Sequence, residues 1–126
     1  MQLGELIRIL RAADTNSHVR YDFAGCVPTR VGSWRGVYSE PALGWIATGY
    51  SGVGIHKNVT VGNLLMELEE ALNTEHEGWK GGGFRYTEDS PLHIDNPGDW
   101  TSTEIDHVTV DGLELVIHTV RDRDYL

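Results

Sequence analysis

The chain has 126 residues, 40% of them hydrophobic, and a formal net charge of −9 from 19 acidic and 10 basic side chains. That length suits one domain that buries a core without metals or disulfides, and the composition is globular rather than disordered. The acidity argues against a general nucleic-acid binder, whose phosphate contacts need an excess of Lys and Arg, and the single cysteine excludes an internal disulfide and points to a reducing compartment.

Residues 2–13 carry Leu3, Leu6, Ile7 and Leu10 on one helical face, with Glu5, Arg8 and Arg11 opposite. Asp14, Asn16 and Ser17 end that helix. His18 to Ala24 then alternate, with Val19, Tyr21 and Phe23 on one side and Arg20 and Asp22 on the other, as in a half-buried strand. Cys26 follows in an apolar setting and reads as a buried structural thiol. Residues 25–58 carry glycines, prolines and aromatics with little periodicity; short strands are expected at 34–38 and 43–48, and a loop tip at 51–58.

Thr60 is a good cap for a second helix over Val61 to Asn73, with Val61, Leu64, Leu65, Leu68 and Leu72 as its apolar stripe. Both helices open on a similar pattern, Leu3-Gly4-x-Leu6-Ile7 and Val61-Gly62-x-Leu64-Leu65. Amphipathic helices share such spacing in general, although an early glycine also suits close helix–sheet packing. Strands are expected near 84–87 and 91–95. A hairpin runs from Glu104 to Val120 through an Asp111-Gly112 turn, where glycine supplies a positive φ. The expected fold is α+β: one compact domain over 1–126, a mainly antiparallel sheet with two amphipathic helices packed on it. No apolar run approaches the roughly 18 residues of a membrane span, and the N-terminus lacks a basic region followed by an apolar core.

Six histidines raise the question of a metal, but no His-x-x-x-His pair or cysteine cluster is present. His107 and His118 are potential neighbours across the terminal hairpin, with Asp106 beside them. The expectation is nevertheless no metal and no cofactor. Neither Gly-x-Ser-x-Gly nor a supported Cys–His arrangement appears. Glu88-Asp89 reads as a turn or a polar ligand contact, and Glu69-Glu70 as a solvated helix face. The chain is therefore expected to bind rather than catalyse.

Two segments share an aromatic–cation–glycine pattern: Ser33-Trp34-Arg35-Gly36 with Tyr38, and Trp79-Lys80-Gly81-Gly82-Gly83. Arg35 can make a two-pronged contact to phosphate, and Lys80 supplies a point charge. Trp34, Tyr38 and Trp79 offer faces for stacking a base. Adjacent glycines let backbone amides approach an anion. The alternative is aromatic packing against bare backbone, with the cations reaching to water.

At these residues the sequence resembles a small family of bacteriophage accessory proteins. Its segments read here as Ser33-Trp34-Arg35-Gly36-Val37-Tyr38, Ala42-Leu43-Gly44-Trp45, Thr60-Val61-Gly62-Asn63-Leu64-Leu65, Gly78-Trp79-Lys80-Gly81-Gly82 and Ser90-Pro91-Leu92. Gly83 stands where that family tends to carry an acidic residue, and Ser90 replaces a threonine. By analogy with phage sponges, the resemblance implies a counter-defence protein of the host bacterial cytoplasm. Such a protein would sequester a nucleotide-derived signal of the Thoeris or CBASS type, a cyclic ADP-ribose isomer or cyclic oligonucleotide, without cleaving it. Its partners would be that small ligand and further copies of itself, with no nucleic-acid polymer and no membrane. The expected ligand contacts are Ser33, Trp34, Arg35, Tyr38, Trp79, Lys80 and the amides of Gly81, Gly82 and Gly83. Two other functions compete: an acidic protein–protein inhibitor of a host defence enzyme, and an enzyme that degrades the same signal.

Overall fold

A computed structural model of the chain describes residues 1–23, 26–34, 37–47, 59–77, 82–95 and 102–122. The first leucine stripe folds as α1 (Leu3–Ala12), burying Leu3, Leu6, Ile7 and Leu10. The second forms α2 (Val61–Asn73), burying Val61, Leu64, Leu68 and Ala71. Thr60 caps α2 as its composition predicts. Its Oγ1 accepts from the Asn63 amide, and Asn63 Oδ1 accepts from the Thr60 amide, both at 3.2 Å. Two otherwise unsatisfied amides are thereby paired at the helix start. Each fully buried leucine on these stripes contributes roughly 1.5–3 kcal/mol relative to exposure.

Among the described residues eight strands accompany the helices: β1 (His18–Tyr21), β2 (Cys26–Trp34), β3 (Val37–Ala47), β4 (His76–Glu77), β5 (Gly83–Phe84), β6 (His93–Ile94), β7 (Ser102–Asp111) and β8 (Glu114–Asp122). Six form one sheet in the order β1-β8-β7-β6-β3-β2, and β4 and β5 pair separately. The fold is α+β with a mainly antiparallel main sheet, as expected, although that sheet is mixed rather than purely antiparallel. Its hairpins β2/β3 and β7/β8, and the pair β6/β7, are antiparallel, whereas β1/β8 and β3/β6 are parallel. The reason lies in the connections. A tight turn permits only antiparallel pairing, but β6 reaches β3 after the whole α2 excursion and arrives in the same direction.

Other expectations shift in position. Residues 26–34, read as irregular, form a nine-residue strand. Its proline is tolerated because β2 is outermost in the strand order, where a missing N–H breaks no ladder on that side. The stretch 34–38 is not one strand: Trp34 closes β2, Val37 opens β3, and the two are register partners. The strands expected at 84–87 and 91–95 shrink to Gly83–Phe84 and His93–Ile94. In the terminal hairpin Asp111 pairs with Glu114, so the loop is Gly112-Leu113, one residue later than expected, with Gly112 at φ 61°. The loop expected at 51–58 lies outside the described residues.

The two early helix glycines serve different ends. Gly4 N–H donates to Glu88 O at 2.9 Å, and a Cβ at Gly4 would sit 2.6 Å from Glu88 Cβ. Gly62 has only ordinary contact there, 3.4 Å from Thr15 O. The α1 glycine thus answers a close approach by the turn at Thr87–Ser90, and the α2 glycine answers none. Beneath the helices Val19, Tyr21, Leu43, Ile94, Leu115 and Ile117 complete the core. Among the described residues no helix is long and apolar enough to cross a membrane.

Loss of the cap should be measurable. Thr60→Ala is expected to lower the unfolding free energy by about 1 kcal/mol, read from the urea midpoint. An unchanged midpoint would show that α2 is held by packing alone.

Candidate functional site

The register of β2 and β3 shifts twice, between Pro28 and Val31 and between Ser33 and Trp34, and the first shift lies beside α2. Pro28 pairs with Trp45 and Val31 with Leu43, so Thr29 and Arg30 together oppose Gly44. Two residues against one make a β-bulge, which bends the strand and re-aims its side chains. A side chain opposite it would be crowded. A Cβ at position 44 would overlap Thr29 Oγ1 and lie 3.2 Å from Arg30 O. The Gly44 carbonyl is itself held, accepting from the hydroxyl of fully buried Tyr21 at 2.9 Å. Desolvation raises the Tyr21 phenol well above its usual pKa, so it remains a donor.

The next residue, Trp45, is fixed from two sides. Its indole N–H donates to Asp95 O at 2.9 Å, and the Phe23 ring meets it edge-on at 5.7 Å. Between this tryptophan and α2 lies a cleft of about 660 Å³. Pro28, Trp45 and Ile46 line one wall, and Asn63, Met66, Glu67 and Glu70 the other. Those four helix positions recur at three- and four-residue spacing, forming a face distinct from the core stripe. They account for the 70% exposure of Met66, an apolar side chain left at the rim of a cleft. Arg30 and Thr29 line the same cleft. A second cavity, about 330 Å³, shares Thr29, Arg30 and Trp45 and adds Gly32, Gly44 and Asp95.

Arg30 is exposed and makes no ion pair or side-chain hydrogen bond among the described residues. Arg11 and Arg20, by contrast, pair with Glu69 and Glu114 at 3.5 and 2.8 Å. Arg30 therefore keeps its planar fork of donors for something else.

The expected ligand contacts are distributed as follows. Ser33 and Trp34 end β2, and Tyr38 stands near the start of β3, on the two strands that form the bulge. Arg35, Trp79, Lys80 and Gly81 lie outside the described residues. Gly82 adopts φ 92°, and Gly83 pairs with Glu77 in the small sheet. The Glu75 side chain occupies the space where a Gly83 Cβ would be. That Arg30 and Met66 line this cleft was not legible in the sequence. The signal for them is a Gly-Trp dipeptide opposite Thr-Arg, which becomes visible only with the register.

The remaining candidates have local partners. Glu88 and Asp89 form the turn closed by the Ser90 amide on Thr87 O at 3.0 Å. Cys26 is buried, and desolvation raises its thiol pKa, which disfavours the reactive thiolate. His107 and His118 are register partners, as the hairpin predicts, with rings stacked 4.3 Å apart. One ring nitrogen of each is engaged, with Asp106 at 2.6 Å and Thr109 at 2.7 Å. Among the described residues no group of three or more His, Cys, Asp or Glu side chains could hold a metal ion.

His93 on β6 bridges its two neighbouring strands. Its Nδ1 lies 2.6 Å from Glu104 on β7 and its Nε2 3.0 Å from Glu40 on β3. Burial alone would lower its pKa, but the two carboxylates outweigh that and raise it above the usual value.

No protein-family model, curated protein or solved structure matches the chain.

A group whose folded pKa is raised stabilises fully below its unfolded value, about 6.5 for histidine. That contribution is lost as pH rises through the higher folded value. The stability difference between wild type and His93→Gln should therefore be largest below about pH 6.5 and shrink on going alkaline. Urea unfolding across that range reads it; a gap independent of pH would contradict the charged clamp.

Proposed function

We propose that this protein binds a nucleotide-derived signal and sequesters it without cleavage, in the counter-defence role its motifs suggest. The observation that carries the reading is the cleft, where an immobilised indole and an uncommitted guanidinium share one wall opposite a polar helix face. Its volume of about 660 Å³ falls within the span typical of small-molecule sites. Trp45 offers a flat surface whose orientation is already fixed, which lowers the ordering cost of stacking a base. Arg30 supplies a forked donor for phosphate. Asn63, Glu67 and Glu70 supply amide and carboxylate groups for base edges and ribose hydroxyls, and Met66 adapts to the ligand's outline.

On a chain of net charge −9, an anion binds only where positive potential is local. That makes Arg30 the test residue. Incubation with cyclic ADP-ribose isomers and cyclic dinucleotides, followed by heat denaturation, should return one of them intact. Arg30→Ala should weaken its binding by about 1.5–3 kcal/mol, the scale of a charged hydrogen bond. Recovery of a cleaved nucleotide would favour an enzyme. Failure to bind any of them, with inhibition of a host protein abolished by surface charge reversal, would favour the acidic protein–protein inhibitor.

A further inference from the structure

The main sheet has a narrow waist. Its two halves, β1-β8-β7 and β3-β2, are joined in the ladder by β6, which supplies two residue pairs to each side. His93 and Ile94 pair with Glu104 and Thr103 on β7, and with Ala42 and Leu43 on β3. The His93 side chain spans this waist, with Glu104 on its Nδ1 and Glu40 on its Nε2, and is only 12% exposed. Glu40 from β3 and Glu104 from β7 are the charged groups that face it among the described residues; Asp95, following β6 itself, is exposed. That same short strand reaches the cleft. Asp95 donates its N–H to Leu43 O at 2.9 Å, and its carbonyl accepts the Trp45 indole N–H at 2.9 Å. The group that fixes the indole is therefore suspended from the strand that His93 clamps.

We propose that Glu40, His93 and Glu104 form a proton-operated latch that sets how firmly β6 holds Trp45. An imidazolium has two N–H donors, one for each carboxylate, whereas a neutral imidazole has one donor and one lone pair. When the proton leaves, it leaves the longer contact. Nδ1–H stays on Glu104 at 2.6 Å, and the Nε2 lone pair then faces the Glu40 carboxylate at 3.0 Å. That carboxylate, on a side chain 30% exposed, turns to water rather than remain against a lone pair. The tie between β3 and β6 is thereby lost on one side of their two residue pairs, while Asp95 and the indole hang on the other. Burial lowers the pKa of His93, and the bonds to Glu104 and Glu40 outweigh it and raise it above the usual value. The latch is closed in acid and loosens as pH rises through that folded pKa. It needs no ligand and stands whether or not the cleft takes a nucleotide. On the proposed reading, a ligand stacked on Trp45 would be held more tightly at lower pH.

Hydrogen exchange of the Trp45 indole N–H in the full chain reads the latch directly, as protection relative to free indole at each pH. Over about pH 6 to 9, wild-type protection should fall roughly threefold or more as the His93 ring signals titrate. The indole should exchange faster throughout than the Ile117 amide, which sits in the ladder between β1 and β7. Its release is then local rather than global. Glu40→Gln should abolish the fall, because a carboxamide either accepts from Nε2–H or donates to its lone pair. His93→Gln has no proton to lose and should show no fall either. Circular dichroism melts check that both variants fold, and where one melts early the wild-type result alone decides. Flat wild-type protection across the His93 titration would overturn the latch. So would the same fall in a folded Glu40→Gln or His93→Gln chain, or an indole that exchanges no faster than the Ile117 amide.

Discussion

The cleft beside α2 is shaped by one of the two register shifts between β2 and β3, the one that sets two residues of β2 against the single Gly44. The lack of a side chain at position 44 eases that mismatch, since a Cβ there would meet the Thr29 hydroxyl and crowd the Arg30 carbonyl. It is anchored from beneath by the Tyr21 hydroxyl, which reaches the Gly44 carbonyl from the opposite margin of the sheet order. A buried phenol without a partner would cost roughly 1–3 kcal/mol, so the same hydrogen bond that satisfies Tyr21 holds the bulge in place. The core residue Tyr21 is thereby tied to the bulge beside the cleft.

The bulge also explains how α2 serves two purposes. Val61, Leu64, Leu68 and Ala71 are buried, which fixes the rotation of the helix. That rotation carries Asn63, Met66, Glu67 and Glu70 toward the bent strand. Nothing in the core requires a methionine there. It stands at the rim of the cleft, lining it while still largely exposed to water.

Local signals in the sequence were sufficient where a structure is held by local physics. The α2 boundaries follow from Thr60 and the leucine spacing, and the terminal hairpin from alternation around Asp111-Gly112. The His107–His118 pairing follows in turn from that hairpin. Long-range pairing was not legible. Nothing in His18–Tyr21 announces that it lies parallel to β8 at the far end of the chain. The strand Cys26–Trp34 was hidden because Pro28, Gly32 and the bulge erase its alternation, and Arg30 was hidden with it. The aromatic–cation–glycine segments drew attention to the β2–β3 hairpin for its ends. The cleft draws instead on its middle, where Trp45 stood in view among the motif residues without an evident partner.

Acidity sharpens the consequence. On the proposed reading, with Glu67, Glu70 and Asp95 also lining these spaces, Arg30 would hold the ligand's negative charge. The most direct test is a ¹⁵N–¹H correlation spectrum of the protein titrated with ADP-ribose and with cyclic diadenylate. Binding in the cleft predicts that the largest shifts fall on the Thr29, Arg30 and Gly44 amides, the Trp45 indole N–H and the α2 amides from Asn63 to Glu70. Shifts confined to the β7–β8 face around His107 and His118, with Trp45 and Arg30 unmoved, would contradict it.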